Sequence, residues 1–471
     1  MGLRISLTLA ELAAAVGGTL RLAPGSHDFD EVSGTVQADS RLVTPGSTFI
    51  ALPGEVSDGH LFAQAAIDNG AAVLLVDHEL ELAASQVVVE DTLTALADLA
   101  RFVVATVRAK GALKVIGITG SNGKTTTKNM LRAVLETAGA TIAPPGSFNN
   151  HVGAPLSMLS IDLDTRFLVV EMGASGIGEI ARTVGIVMPD ISVVLKVGLA
   201  HAGEFGGIEQ TQRAKSEIVT QLPASAVAIL NRDDERVAAM ASLTKARTVW
   251  FGLDASADVR ADDLRATASG TAFTLIEGDL HRPVLLRILG EHHVMNALAT
   301  LAVARELGVD LDTAITALES VPRAERWRME VLTRSDGILV INDAYNASPD
   351  SMSAALKTLA QIIEPGQRSI AILGEMTELG EFSDGEHDRI GRLVVRLNIQ
   401  KLIVVGHGAR HIHNAAGLEG SWDGESMLVA TADEAYDRLR DDLRAGDVVL
   451  VKSSKSANLR FLGDRIGEVP E

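Results

Sequence analysis

The chain has 471 residues, no cysteine, and 42 Lys plus Arg against 61 Asp plus Glu, giving a net charge of −19 at pH 7. That length predicts roughly three domains; the acidic balance excludes a general polyanion-binding surface such as one for nucleic acid, and the lack of cysteine excludes disulfides, thiolate zinc sites and cysteine nucleophiles. About 18 apolar residues would be needed in one run to cross a membrane, none occurs, and Glu11 interrupts the N-terminal stretch MGLRISLTLAELAAAVGG, which reads as an amphipathic helix rather than a signal segment; a cytoplasmic protein without stable membrane insertion is expected.

The first hundred residues read as a small α/β unit. SRLVTPGSTFIAL ends in a strand, DGHLFAQAAIDNGA has helical spacing with a glycine stop, and AAVLLVD is another strand. Asp39, Ser40, Arg41 and Asp58, Gly59, His60 punctuate it, as ligand contacts or as turn and capping residues. The helical pattern DTLTALADLARFVVATVRAKGA follows and puts a first boundary near residue 108.

Residues 114 to 130, KVIGITGSNGKTTTKNM, organise what comes next. A β-branched run ends in Thr119, Gly120, Ser121, Asn122, Gly123, Lys124, Thr125 and Thr126, and a helical pattern begins. Strand, glycine loop and helix together make a nucleotide triphosphate site: backbone N–H groups and the helix N-terminus face phosphate, Lys124 reaches a terminal phosphate, and a Thr hydroxyl holds Mg²⁺. The strict P-loop spacing needs glycine at position 118, where the chain has Ile, so Gly117, Gly120 and Gly123 form a variant.

Beyond the loop helix, SFNNHVGAPLSML offers Asn149 and Asn150, and RFLVVEMGAS is a buried strand ending in Glu171. A carboxylate at a strand's carboxyl end beside a phosphate loop is placed for metal binding. The strand ISVVLKVG is followed by His201, a third polar residue past a strand end and a candidate site residue rather than a solvated loop histidine. IEQTQRAKSEIVTQL reads as a helix carrying Lys215, and SAVAILNRDDERV as a strand ending at Asn231. Between about 248 and 290 the pattern changes to short alternating strands with turns at SG and EGD, an antiparallel appendage on the parallel sheet. GEHHVMNALATLAVARELG then starts a helix with Asn296 near its beginning, either a base or ribose contact or a helix-start residue. From about 331, GILVINDA, RSIAILGE, KLIVVG, SMLVATA and GDVVLVK are five strands of a doubly wound domain, with Asp343, Tyr345 and Asn346 after the first. The fold class is α/β: a small N-terminal domain (1–108), a central P-loop-type, mostly parallel sheet with its antiparallel appendage (109–330), and a C-terminal Rossmann-like domain (331–471).

TGSNGKTT, EMGAS, the AH pair at 200 and 201 with AKSEI downstream, GEHHVMN and DAYNASPDS, in this order, resemble the Mur ligases, ATP-dependent amide-forming enzymes of peptidoglycan synthesis. Within that family NNHVGAP, NDAYNASPDSM and LGEMTELGEFSDGEH look like the members that add D-alanyl-D-alanine to UDP-N-acetylmuramoyl-tripeptide. The resemblance implies ATP and two Mg²⁺ ions, with these two small-molecule substrates and a monomer. It makes Ser40 and Arg41 contacts to the uracil and diphosphate, Asn149 and Asn150 contacts to sugar or peptide, and Tyr345 and Asn346 substrate contacts. Gly120, Asn122, Gly123, Lys124, Thr125 and Thr126 would hold ATP; Asn231 and Asn296 would lie by adenine, Asp343 by ribose, and Arg328 at the γ-phosphate. Thr125, Glu171, His201 and a carbamylated Lys215 would bind metal, and Lys124, His201, Lys215 and Arg328 would form the catalytic set. The bland reading of Lys215 is a surface lysine paired with Glu209 or Glu217. Two residues depart from the family pattern: His293 stands where Asn is usual, and Trp327 where Gly commonly precedes the arginine. A folylpolyglutamate synthetase-like ligase and a P-loop switch protein are the competing readings.

Overall fold

The computed structural model describes residues 5–54, 57–144, 146, 148–199, 203, 206–321, 326–419 and 422–469. Three main sheets follow one another along the chain. The first has five strands in the order Thr19–Arg21, Ser85–Val88, Ala71–Val76, Ser47–Ile50, Val36–Gln37, parallel except for the first. Asp39 and Asp58, open between capping and ligand roles in the sequence, accept hydrogen bonds from the Arg41 and His60 N–H groups and cap short 3₁₀ turns. Glu11 completes a capping box with Thr8 at the start of the helix Leu9–Ala15.

The central sheet has nine strands. Lys114–Thr119 lies between Phe167–Glu171 on one side and Ile191–Val194 on the other, all parallel. The chain therefore leaves Lys114–Thr119 toward one edge and later returns to its other side, and the loop after this strand stands at the topological switch point, where open α/β sheets bind ligands. Val227–Asn231 and Arg247–Gly252 continue the parallel part. The antiparallel meander Val259–Thr267, Gly270–Glu277, Leu280–Leu286, with its turns where SG and EGD were read, pairs onto Arg247–Gly252 through Phe251↔Val259 and Gly252↔Arg260, so the appendage extends the same sheet.

Both faces of this sheet are covered, as its β-branched, alternation-free strands require. One face shares a core with the first domain through the helix Thr92–Lys110, whose Leu96, Leu99, Val103 and Val107 are buried. The other packs against Lys124–Leu135, His292–Glu306 and Leu311–Ser320. His292–Glu306 is buried almost all round, which makes its polar members His293 and Asn296 conspicuous.

The last sheet runs Glu330–Thr333, Leu339–Asn342, Asp447–Lys452, Arg368–Leu373, Lys401–Val405, Glu425–Val429. The five strands read from the sequence are present and parallel. Glu330–Thr333 was not anticipated; it adds antiparallel to the edge, where its half-exposed side chains give no apolar run, so the last sheet begins one residue ahead of 331 and Arg328, just before it and stacked on Tyr345, is counted with the last domain. No helix among the described residues is long and apolar enough to cross a membrane.

Candidate functional site

A cavity of about 320 Å³ opens between the central and last sheets, at the carboxyl ends of their strands. Ser121 to Thr126, Asn149, Glu171, Asn296, Arg328, Asp343, Tyr345 and Asn346 line it, gathering most of the site residues read from the sequence.

The loop's geometry follows from its glycines. Gly123 caps the helix Lys124–Leu135 at φ +88°, and a Cβ there would lie 2.4 Å from Asn296 Oδ1. Only glycine permits both that conformation and that contact. Lys124 Nζ donates to Gly120 O at 2.7 Å. Burial lowers its pKa, the nearby Glu171 opposes that shift, and the Arg328 charge adds to it. Thr125 Oγ1 donates to the Glu171 carboxylate at 3.1 and 3.2 Å, and Asn149 Nδ2 donates to Glu171 Oε1 at 3.0 Å. Glu171 is 2 % exposed. A buried carboxylate and a Thr hydroxyl are hard oxygen donors, the set a Mg²⁺ ion takes.

Lys128, missed in the sequence, is fully buried, donates to Gly146 O and stands 3.9 Å from Glu171 Oε2. The signal was available: Lys124 and Lys128 are four apart and share a helix face. Lys196, His292 and Lys452 also line the cavity. Burial pushes the His292 pKa down to about 4; Asp343 opposes this, while Lys452 and Lys196 add to it, so the ring is neutral near pH 7. His293 is driven well below its ordinary value first by burial, then by His292 and Arg328. Its Nδ1 meets Asn296 Nδ2 at 3.1 Å, which makes it the acceptor and leaves the proton on Nε2. That Nε2 and Asn122 Nδ2 are buried in the cavity wall without hydrogen-bond partners among the described residues. Buried unpaired donors are costly and mark where a polar ligand binds.

From the last domain, Arg328 stacks on Tyr345 with Cζ 4.2 Å from the ring centroid. Asp343 Oδ1 accepts from Met329 N–H at 3.0 Å, and Asp343 Oδ2 from Lys452 Nζ at 2.6 Å. Lys452 is 1 % exposed and also donates to Asn346 O, so one buried cation holds two predicted ligand residues. Lys452→Met should destabilise the chain by about 3 kcal/mol, because it strands the Asp343 charge; urea unfolding measures this.

The Trp327 departure has a conformational cause. Trp327 sits at φ +63°, a region glycine enters freely and which costs other residues of order 1 kcal/mol or more. Here the indole offsets that cost by donating to Asp464 at 2.9 Å, meeting Phe461 edge-on and lying against Arg326 and Arg460. Arg328 therefore keeps its place.

Other residues fall elsewhere. Ser40 and Arg41 belong to the first domain, where Arg41 is bound to Asp39. Asn150 accepts from Gly153 N–H and lines an adjoining cavity. Asn231 is buried at its strand end but absent from the cavity lining, its amide donating to Leu195 O at 2.7 Å. His201 lies outside the described residues. Lys215 is 2 % exposed, which does not fit the bland reading of a surface lysine, and burial followed by the Lys124 charge lowers its pKa to about 7. Glu217 is engaged by Gly178 and Ala181 N–H groups.

Residues 118–304 match the Mur ligase middle domain, 327–455 the Mur ligase glutamate ligase domain, and 34–109 the Mur ligase family catalytic domain. The chain is similar to the UDP-N-acetylmuramoyl-tripeptide D-alanyl-D-alanine ligase of Mycobacterium bovis, 44 % identical with 98 % of each chain covered. It is similar to the structure of MurF from Acinetobacter baumannii, with a TM-score of 0.89 and 31 % identity over 98 % of this chain and 99 % of that one. A structure of the UDP-N-acetylmuramoylalanyl-D-glutamyl-2,6-diaminopimelate D-alanyl-D-alanyl ligase from the same organism matches with a TM-score of 0.86 and 30 % identity over the same shares. With the phosphate loop, the buried carboxylate and the arginine from the last domain meeting in one cavity, and with identity at this level from end to end, the chain belongs to the Mur ligase family.

Proposed function

We propose that the chain joins D-alanyl-D-alanine to UDP-N-acetylmuramoyl-tripeptide at the expense of ATP, releasing ADP and phosphate and giving the UDP-muramoyl-pentapeptide of peptidoglycan synthesis. The observation that carries this reading is the cavity in which the glycine loop and Glu171 face Arg328, Asp343 and Tyr345 from the last domain. Residues 1–108 would hold the nucleotide sugar through Ser40 and Arg41, 109–330 the ATP, and 331–471 the incoming dipeptide. Monomeric, cytoplasmic action belongs to the same reading.

A peptide carboxylate does not acylate an amine directly, because oxide would have to leave. Its oxygen attacks the γ-phosphorus instead, ADP departs, and an acyl phosphate forms; the dipeptide amine then attacks the carbonyl carbon and phosphate leaves. Carboxylate and triphosphate repel, so the chain must supply positive charge where they meet. Lys124 and Arg328 converge there from two domains. Thr125 and Glu171, with His201 and a carbamate on Lys215, would hold two Mg²⁺ ions. When bound, these would supply further charge against the phosphates. Asn296, beside the glycine loop, suits the adenine side, as Asn231 would from the neighbouring strand end; Asp343 suits the ribose; and Asn149, Asn150, Tyr345 and Asn346 suit sugar, peptide or dipeptide. Placing the reaction between two domains keeps water from the acyl phosphate.

Phosphate release should require both UDP-N-acetylmuramoyl-tripeptide and D-alanyl-D-alanine, falling to background without either. Release with neither substrate would favour a P-loop switch, and release driven by a pteridine with glutamate a folylpolyglutamate synthetase-like ligase.

A further inference from the structure

Beyond Asn149 and Gly173 lies a second cavity of about 300 Å³, whose wall includes Asn150, His151, Glu179, Arg182 and Thr183. It adjoins the nucleotide cavity across one layer of chain. Gly173 N–H donates to Asn149 O at 3.0 Å, while the Asn149 side chain bonds Glu171 on the other side. A third cavity of about 180 Å³ shares His151, Arg182 and Thr183 and continues to Thr94 and Ala97 on the helix Thr92–Lys110, the last element of the first domain. The two cavities thus lead from Glu171 toward the first domain, the course a nucleotide-sugar peptide must take if its sugar end is held there and its carboxyl end reacts beside Lys124.

Two exposed basic side chains, Arg182 and His151, stand along this course in a chain with a net charge of −19. The surrounding carboxylates are committed elsewhere. Glu179 accepts from the Ser175 N–H at 3.0 Å, Glu217 takes the Gly178 and Ala181 N–H groups, Asp91 caps the helix Thr92–Lys110 through Thr94 N–H, and Asp98 pairs with Arg101. Arg182 acts on Asp91 only as the weakest of several influences, and its guanidinium makes no contact ion pair or side-chain hydrogen bond among the described residues. His151, across the same cavities, is likewise without a side-chain partner among the described residues. A guanidinium fork is the group best matched to a carboxylate.

We propose that this cavity is a carboxylate subsite for the acyl-donor peptide, with Arg182 binding a carboxylate that takes no part in the reaction and His151 assisting it. The proposal rests on the ligase reading above. A peptide of the alanyl-glutamyl-diaminopimelyl kind offers two such groups: the glutamyl carboxylate left out of the peptide linkage, and the second carboxylate of diaminopimelate. Arg182 thereby becomes a specificity residue for the peptide and not for ATP.

The test compares the full-length enzyme with Arg182→Ala and Arg182→Lys on UDP-muramoyl tripeptides ending in diaminopimelate or in lysine, at saturating ATP and D-alanyl-D-alanine. Arg182→Ala should raise KM for the peptide about 10- to 100-fold, the scale of a lost charged hydrogen bond. Arg182→Lys should recover part of the loss, while KM for ATP and the melting temperature stay at wild-type values. A rise with both peptides assigns the subsite to the glutamyl carboxylate, and a rise with the diaminopimelyl peptide alone assigns it to the second carboxylate of that residue. An unchanged peptide KM in Arg182→Ala, or a KM for ATP that rises equally, overturns the subsite while leaving the ligase reading intact. A wild-type enzyme that ligates neither peptide overturns the ligase reading and the subsite together.

Discussion

Lys124→Ala should lose ATP-dependent ligation by about 10² to 10⁴ in rate, the scale of removing one preorganised electrostatic contact, and should still fold. Both halves follow from where the residue sits. Lys124 opens the loop helix, half-buried in the cavity wall, and its Nζ is held by one backbone oxygen, Gly120 O. Its stem fills no core, and alanine is the better helix former, so the stability change should stay within about 1 kcal/mol. The ammonium is instead poised. Burial and Arg328 oppose its charge and Glu171 favours it, so a triphosphate entering the cavity meets two cations that the fold has brought together against their mutual repulsion. A single-turnover assay beside a thermal melt separates the two effects. Near wild-type ligation would mean that the phosphates are not bound at this loop, whereas loss of the melt would mean that the lysine is structural.

Much of this arrangement was legible in the sequence because its physics is local. The parallel strands are continuous apolar runs since both faces are covered, and their polar residues collect at the carboxyl ends since only there does the chain leave the core. Glu171, Asp343, Tyr345 and Asn346 were found that way, and so was the glycine loop. What escaped depends on pairings between distant segments. Glu330–Thr333 becomes a strand because Leu339–Asn342 offers it an edge, not through any pattern of its own. Lys128 looks like any helix lysine until Glu171 is folded against it. Trp327 looks like a lost glycine until Asp464, more than a hundred residues later, supplies the acceptor that lets an indole tolerate a left-handed backbone. Asn231, which the family resemblance sets by adenine, has its side chain engaged by Leu195 O and Asp233 N–H, a pairing the strand-end position alone does not reveal.

Lys215→Ala should be nearly inactive, with a loss of about 10²-fold or more, and a small carboxylate such as acetate should restore part of the activity. In the reading proposed here Lys215 works as a carbamate: the ammonium first gives up a proton, the neutral amine attacks CO₂, a C–N bond forms as a carbon–oxygen π bond opens, a second proton leaves nitrogen, and the product is an anion whose oxygens suit Mg²⁺. The surroundings of the side chain support that reading. The side chain is 2 % exposed on the helix Ile208–Thr220, and the charge of Lys124 reaches it. A second ammonium there would repel both Lys124 and a metal, and burial penalises it further. With the pKa brought down to about 7, a large share of the amine is neutral near neutral pH and open to CO₂. Acetate would then stand in for the missing carbamate oxygens, and wild-type enzyme in CO₂-depleted buffer should lose activity and regain it with bicarbonate. Full activity of Lys215→Ala without additive would sink the carbamate and the metal role together. Inactivity of Lys215→Ala that acetate does not relieve would leave the lysine essential but the carbamate unproved, and a wild-type enzyme that keeps its full activity in CO₂-depleted buffer would overturn the carbamate.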